Sequence, residues 1–379
     1  MKAINLLVKP ASGNCNMNCD YCFYCDEANK RTNYSYGMMD ISTLRNVIRR
    51  TLLHAEGAYS IAFQGGEPTL SGIGFFEEVI RLIKQYNKNN CAIHIAMQTN
   101  GSLIDDKWCR FIKDNNILMG LSVDGTRDIN DRYRHISSSN QSAYDRVLAA
   151  SSLFDKYGVD YNILTVVHRY TALNIREIYK QYRNRNWHYL QFINCLDPLG
   201  EIRGQKEYSL TPDVYGKFLL DLFDLWYEDN RNNTAPYIRQ FENYIGILLG
   251  YIPESCEQRG TCSSNYVIEA DGSVFPCDFY AIDEYKLGNL CTDRLADIDE
   301  RRSKLRFIER SKYLPSKCRE CKWLRLCKGG CYRSRFSDSF AADSGNIHGL
   351  NYYCDSYQYF FENAIDRLEE IANKLVNRK

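Results

Sequence analysis

The chain has 379 residues, enough to bury a large core and long enough for one big domain plus a smaller one. Its 48 basic and 47 acidic side chains leave a formal net charge of +1, so no polyanionic partner such as nucleic acid is implied. No apolar run approaches the roughly 18 residues of a membrane span, and Ile4 to Val8 is too short for the core of a secretory signal; sixteen cysteines without such a signal argue for metal ligation in a reducing, cytoplasmic compartment and against a disulfide framework.

Ile4 to Lys9 reads as a strand, and Cys15-Asn-Met-Asn-Cys19-Asp-Tyr-Cys22 follows it directly. Three thiolates at this spacing can surround one iron–sulfur cube and leave its fourth iron without a protein ligand. A structural zinc loop needs four ligands, usually in two paired knuckles, and the only further thiol nearby is Cys25. Asp40 can cap a helix through about Glu56, with Leu44, Val47, Ile48 and Leu52 at helical spacing. Strands are predicted at Tyr59 to Gln64, Ala92 to Thr99, Leu118 to Asp124, Asp160 to Val167 and Tyr189 to Cys195. Between them, helices are predicted at Phe75 to Asn87, Asp105 to Asn115, Ser142 to Tyr157 and Thr171 to Arg185. This alternation implies a parallel sheet wrapped by helices, either an open doubly wound sheet or a partial barrel, with functional loops at the C-terminal ends of the strands. The three-cysteine loop, Gln64-Gly65-Gly66-Glu67-Pro68, Gln98-Thr99-Asn100-Gly101 and Ser122-Val123-Asp124-Gly125 would then all face one end.

Two aromatic-rich helices are expected at Thr211 to Asn230 and Ile238 to Tyr251, with a domain boundary in the polar break between them: residues 1–235 for the first domain and 236–379 for the second. Asp271-Gly272 marks a hairpin turn inside Val267 to Phe275, and a last amphipathic helix runs from about Gln358 to Val376. Eight cysteines of this part, Cys256, Cys262, Cys277, Cys318, Cys321, Cys327, Cys331 and Cys354, match the ligand count of two fully coordinated clusters, while Cys91, Cys109 and Cys195 stand singly in apolar stretches as core residues. A zinc ribbon is the structural alternative for the CxxC pairs.

The three-cysteine spacing followed by Phe23 resembles the signature of the radical S-adenosylmethionine (SAM) superfamily, and Gly65-Gly66-Glu67-Pro68 resembles its motif for the amino group of the SAM methionine. The run Cys318-x2-Cys321-x5-Cys327-x3-Cys331 resembles the SPASM domain. Together with Phe192 to Leu199, Asp271 to Tyr280 and Leu350 to Cys354, these motifs are similar to those of anaerobic sulfatase-maturating enzymes over nearly the whole chain. The resemblance implies a partial (β/α)6 TIM-type barrel followed by a loop-rich SPASM domain, and oxidation of a sulfatase cysteine or serine to formylglycine. It implies three 4Fe–4S clusters: one on Cys15, Cys19 and Cys22, a second on Cys256, Cys262, Cys277 and Cys331, and a third on Cys318, Cys321, Cys327 and Cys354. SAM would lie against Tyr21, Gly66, Ser122, Arg134 and Leu196, the substrate side chain against Tyr24 and Gln64, and Asp278 would take the substrate proton. A sulfatase polypeptide and a small electron donor such as flavodoxin or ferredoxin are the implied partners. The alternative is a maturase that forms thioether or carbon–carbon crosslinks in a ribosomal peptide. Such enzymes often carry an N-terminal leader-binding domain, for which a first strand at Ile4 leaves no room.

Overall fold

The computed structural model describes residues 3–377 apart from 138, 140 and 336–348. It divides into two compact units, the first made of Met1–Val123, Asn130–Asn162 and Ser264–Phe307, the second of Asp124–Ile129, Ile163–Ser263 and Ile308–Lys379.

In the first unit the strands are β1 (Ile4–Val8), β2 (Met17–Cys19), β3 (Ala58–Phe63), β4 (Ala92–Thr99), β5 (Leu118–Ser122) and β6 (Arg134–Ile136). In the second they are β7 (Tyr161–Val167), which begins two residues before the unit does, β8 (Tyr189–Asn194) and β9 (Tyr237–Ile238); the chain then returns to the first unit for β10 (Tyr266–Ile268), β11 (Ser273–Phe275) and β12 (Gly288–Asn289). The first unit's main sheet has the order β12-β11-β10-β1-β3-β4-β5. From β10 to β5 it is parallel, and β11 and β12 close the other edge antiparallel. Ile4, Leu6 and Val8 of β1 and Tyr59, Ile61 and Phe63 of β3 alternate into the core, as a period of two requires. The Ile41–Leu52 helix starts where Asp40 accepts a hydrogen bond from Thr43 N at 2.7 Å, a cap worth about 1 kcal/mol. It buries Leu44, Val47, Ile48 and Leu52. Phe63, Phe76 and Trp108 pack edge to face with centroids 5.1 and 5.6 Å apart, joining β3 to the helices that cover it.

In the second unit β7, β8 and β9 run parallel. Its helices Pro212–Arg231, Arg239–Leu248 and Cys354–Asn377 meet in an aromatic core of Phe223, Trp226, Phe241 and Phe360, with centroids 5.2 to 6.0 Å apart. Gly216 lets the first and last of these helices cross closely, since a Cβ there would lie 3.1 Å from Ser356 Cα.

Neither unit closes its sheet; β12 and β9 are free edges, so the alternation predicts the layers correctly and the barrel is open. The hairpin around Asp271-Gly272 is present, but β10 adds to the first unit beside β1, with Leu6 opposite Tyr266 and Val8 opposite Ile268. The helix expected over Thr171 to Arg185 is two, Arg169–Leu173 and Ile175–Asn184, broken at Asn174. The last helix starts at Cys354, a turn earlier than its apolar pattern suggests. No helix among the described residues is long and apolar enough to cross a membrane.

Candidate active site

The three-cysteine loop leaves β1 and is held by three short contacts. Met17 N donates to Cys15 Sγ at 3.4 Å, Cys22 N to Cys19 O at 3.0 Å, and β2 pairs with β6 so that Cys19 stands opposite Arg134. Cys15 keeps part of its surface open, yet the protein around its sulfur pushes the pKa up to about 12, with Glu67, Cys19 and Cys22 adding to the rise. A thiol whose charge is disfavoured in this way releases its proton on binding a metal group, so metal loading of the loop is coupled to proton release. Cys25 lies beside them; hydrogen bonds with Cys22 and Tyr34 draw its pKa down to about 7 despite desolvation, while Cys22 is driven well up by that same bond and by burial.

The Gly-Gly-Glu-Pro segment clamps this loop. Gly66 N donates to Ser12 O at 2.8 Å and Glu67 N to Asn14 O at 2.9 Å. A Cβ on Gly66 would lie 1.9 Å from Asn14 O, so only glycine fits. Glu67 is buried and its carboxylate is already engaged: Oε1 accepts from Thr69 N, Thr69 Oγ1 and Thr99 Oγ1 at 2.5 to 3.1 Å, and Oε2 from Asn100 N at 2.8 Å. One acceptor direction on Oε2 is left for a ligand's ammonium. Asn100 also donates to Asn16 Oδ1 at 2.9 Å, and Asn16 to Ser102 at 2.8 Å, which ties the end of β4 to the cysteine loop.

The other SAM-assigned residues divide between the units. Tyr21 and Arg134, both buried, touch through Arg134 Nη1 and the Tyr21 hydroxyl at 3.2 Å, a contact made by the β2–β6 pair. Ser122 is the half-buried last residue of β5. Leu196 belongs to the second unit, half-buried just past β8.

Tyr24, Gln64 and Asp278 converge, although 254 and 214 residues separate the first two from the third. The Tyr24 hydroxyl donates to Asp278 Oδ2 at 2.6 Å and Gln64 Nε2 donates to the same oxygen at 3.3 Å. Below the carboxylate lies a set of buried charges that no motif signals. Lys9 Nζ is 3.1 Å from Asp278 Oδ1, 3.6 Å from Glu269, 3.8 Å from Glu27 and 4.6 Å from the Tyr24 ring centroid; Arg31 pairs with Glu269 at 2.7 Å. Burial works against the Lys9 ammonium, but Asp278, Glu269 and Glu27 together hold its pKa above the ordinary value. Burial, aided by Asp278 and opposed by Lys9 and Arg31, pushes Glu27 up to about 8. At neutral pH Glu27 is therefore mostly protonated, and two cations face two carboxylates. The one clue in the sequence is position: Lys9 follows directly on a strand whose inward residues Ile4, Leu6 and Val8 are all aliphatic.

Because Glu27 titrates near 8 when folded and near 4.5 otherwise, the folded chain holds a proton through that window that the unfolded chain has lost. Stability therefore falls as pH rises through it. Glu27→Gln is expected to match the wild type in melting temperature near about pH 5 and to exceed it by several degrees near about pH 8.5. Anaerobic thermal unfolding at the two values checks this, and an equal difference at both contradicts it.

Cys318, Cys321, Cys327 and Cys354 line a pocket with Trp323, Tyr357 and Gln358, and Gln358 Nε2 donates to Cys354 Sγ at 3.2 Å. The thiols ring this space. Four thiols around one pocket match the ligand count of a fully ligated cluster. Cys256, Cys262 and Cys331 are electrostatic neighbours in the second unit, whereas Cys277 belongs to the first. Burial pushes Cys327 up to about 12 and Cys262 up to about 11, so metal loading at these sites also displaces protons. A ninth cysteine of the last third, Cys291, sits under the Asp271-Gly272 turn, 3.6 Å from Thr43 Oγ1 and 3.7 Å from Asp271 O. Cys91, Cys109 and Cys195 are buried, as expected of core residues.

Residues 10–181 match the model of the Radical SAM superfamily, and residues 256–322 match SPASM, an iron–sulfur cluster-binding domain. Over 375 residues the chain is 43% identical to a cysteine-type anaerobic sulfatase-maturating enzyme of Clostridium perfringens, covering 99% of this chain and 100% of that one. Over 395 residues it is 27% identical to a serine-type anaerobic sulfatase-maturating enzyme of Bacteroides thetaiotaomicron, covering 100% and 93%. A solved structure of native anSMEcpe with bound AdoMet and Cp18Cys peptide superposes with a TM-score of 0.92 at 44% identity, covering 99% of this chain and 100% of that one. With both ends of the alignment accounted for and the cysteine loops in place, this chain belongs to the anaerobic sulfatase-maturating enzymes, radical SAM enzymes that carry a SPASM domain.

Proposed function

We propose that this enzyme oxidises the active-site cysteine of a sulfatase polypeptide to 3-oxoalanine (formylglycine), starting with removal of a hydrogen atom from Cβ. The convergence of Tyr24, Gln64 and Lys9 on Asp278 carries the reading. Identity of 43% to a cysteine-type relative against 27% to a serine-type one favours cysteine over serine.

Cys15, Cys19 and Cys22 would hold the 4Fe–4S cluster with the open iron; Cys256, Cys262, Cys277 and Cys331 would hold a second, and Cys318, Cys321, Cys327 and Cys354 a third. Bound SAM and these clusters supply the 5′-deoxyadenosyl radical and the electron acceptors, the chemistry that amino-acid side chains lack. Tyr21, Gly66, Ser122, Arg134 and Leu196 would position SAM, and the spare acceptor direction of Glu67 suits its ammonium. Tyr24 and Gln64 would align the substrate side chain against Asp278. Once hydrogen is lost from Cβ, the remaining S–H proton must leave before the carbon can give up an electron, and Asp278 is the base within reach. The thioaldehyde so formed gives formylglycine on hydrolysis. We assign residues 1–235 to the radical SAM part and 236–379 to the SPASM part, place the enzyme in the cytoplasm, and take a flavodoxin or ferredoxin as electron donor.

Anaerobic reconstitution with iron, sulfide, SAM and a sulfatase-derived cysteine peptide is expected to yield a peptide that has lost sulfur and reacts with hydrazines. A product lacking only two hydrogens and bearing no carbonyl would replace this reading with the crosslinking maturase.

A further inference from the structure

Arg335 is 3% exposed and lies at the end of the 3₁₀ turn Tyr332–Arg335. Its guanidinium is spent on main-chain carbonyls: Nε on Gly329 O at 2.8 Å, Nη1 on Ser311 O and Tyr313 O at 2.7 and 3.3 Å, and Nη2 on Gly260 O and Gly330 O at 2.8 and 2.7 Å. Three of those carbonyls sit on loops that carry the thiols. Gly260 precedes Cys262 by two residues, and Gly329 and Gly330 lie between Cys327 and Cys331. Positive φ angles of 66° to 81° at the three glycines turn the carbonyls inward, and a Cβ on Gly260 would lie 2.1 Å from Lys328 O. Any side chain here would dismantle the cradle.

No carboxylate pairs with this buried cation among the described residues. Neutral carbonyls satisfy its donors but leave its charge uncompensated, and an uncompensated buried charge is costly. The groups that act on it electrostatically are Cys331 and Cys262 of one thiol set and Cys318 and Cys327 of the other. Both sets become anionic when they bind iron.

We propose that Arg335 is the shared counter-charge of the two auxiliary clusters, raising the reduction potential of each and tying their loops into one rigid piece. This rests on the assignment of both thiol sets to 4Fe–4S clusters. A fixed cation favours the more negative, reduced state of any redox centre near it, so its loss disfavours electron uptake at both. Arg335 acts through the clusters, as a positioning residue.

The test is an anaerobic redox titration, followed by electron paramagnetic resonance, of holoenzyme with Arg335→Gln and Arg335→Lys, after iron content has been measured. Wild-type protein short of three clusters would refute the underlying assignment, separately from the proposal. With three clusters present, Arg335→Gln is expected to lower both auxiliary potentials and leave that of the N-terminal cluster in place, while Arg335→Lys, which keeps the charge, stays close to wild type. Unchanged auxiliary potentials in Arg335→Gln, or a shift confined to one of them, would overturn the proposal. Should the glutamine variant fail to assemble, the lysine variant decides: wild-type potentials support the shared charge. Lowered potentials in it, or loss of clusters from both variants, reduce Arg335 to a scaffold.

Discussion

Asp278→Asn is expected to cleave SAM within a few-fold of the wild-type rate while forming formylglycine about 10² to 10⁴ times more slowly, the usual worth of a positioned base. The substitution is nearly isosteric and leaves the partners of Asp278 supported. Tyr24 and Gln64 can still reach an amide, and Lys9 keeps Glu269 at 3.6 Å and Glu27 at 3.8 Å. Glu27 can also take over the missing charge, because Asp278 is one of the groups that keep it protonated. The fold and the SAM end of the site should therefore survive, and only the proton transfer is lost. Measuring 5′-deoxyadenosine and peptide aldehyde in one reaction separates the two steps; an aldehyde yield that keeps pace with deoxyadenosine would remove Asp278 from the mechanism.

The second large effect is expected from Gly66→Ala, which should lower SAM cleavage at least about 100-fold. The added methyl would lie 1.9 Å from Asn14 O and 2.5 Å from Asn14 C, both backbone atoms. They cannot swing aside, because Gly66 N is bonded to Ser12 O and Glu67 N to Asn14 O. Relief must come from shifting the cysteine loop, at an overpacking cost of about 1–3 kcal/mol. The displaced loop carries Cys15, so iron content and SAM affinity should fall together. Gly74→Ala is the control, as nothing lies within 4 Å of a Cβ there. Wild-type SAM binding by Gly66→Ala would mean that the clamp does not position the cofactor.

The layers of this fold and the thiols of its site were legible in the sequence, and the reasons are local. Strands β1, β3, β4 and β5 and the helices Ile41–Leu52, Gly72–Tyr86 and Asp106–Asp114 announce themselves through apolar period and caps such as Asp40 and Asp105, whereas β2, inside the three-cysteine loop, does not. The cysteine spacings are short-range patterns that need no tertiary information. Lys9, Glu27, Arg31 and Glu269 are different: each is an ordinary charged residue until β10 brings Glu269 next to β1. The same holds for Arg335, whose five carbonyl partners come from three separate stretches of chain. Cys291 shows the converse, a thiol that counting alone would add to the ligand pool and that packing beneath a turn removes from it.

The place of β10 beside β1 has a consequence for synthesis. Ribosomes add about 5–20 residues per second and release the N-terminus first, yet the far edge of β1 stays unpaired until Tyr266–Ile268 is made. Until residue 269 emerges, Lys9 has neither Glu269 nor Asp278 to offset its burial, and Asp278 comes only after it. A nascent chain thus exposes the thiols of residues 15, 19 and 22 long before the floor beneath them can form. The contacts around Lys9 are completed only once residue 278 has been made, and iron delivered earlier would meet an unsupported, solvent-filled cup.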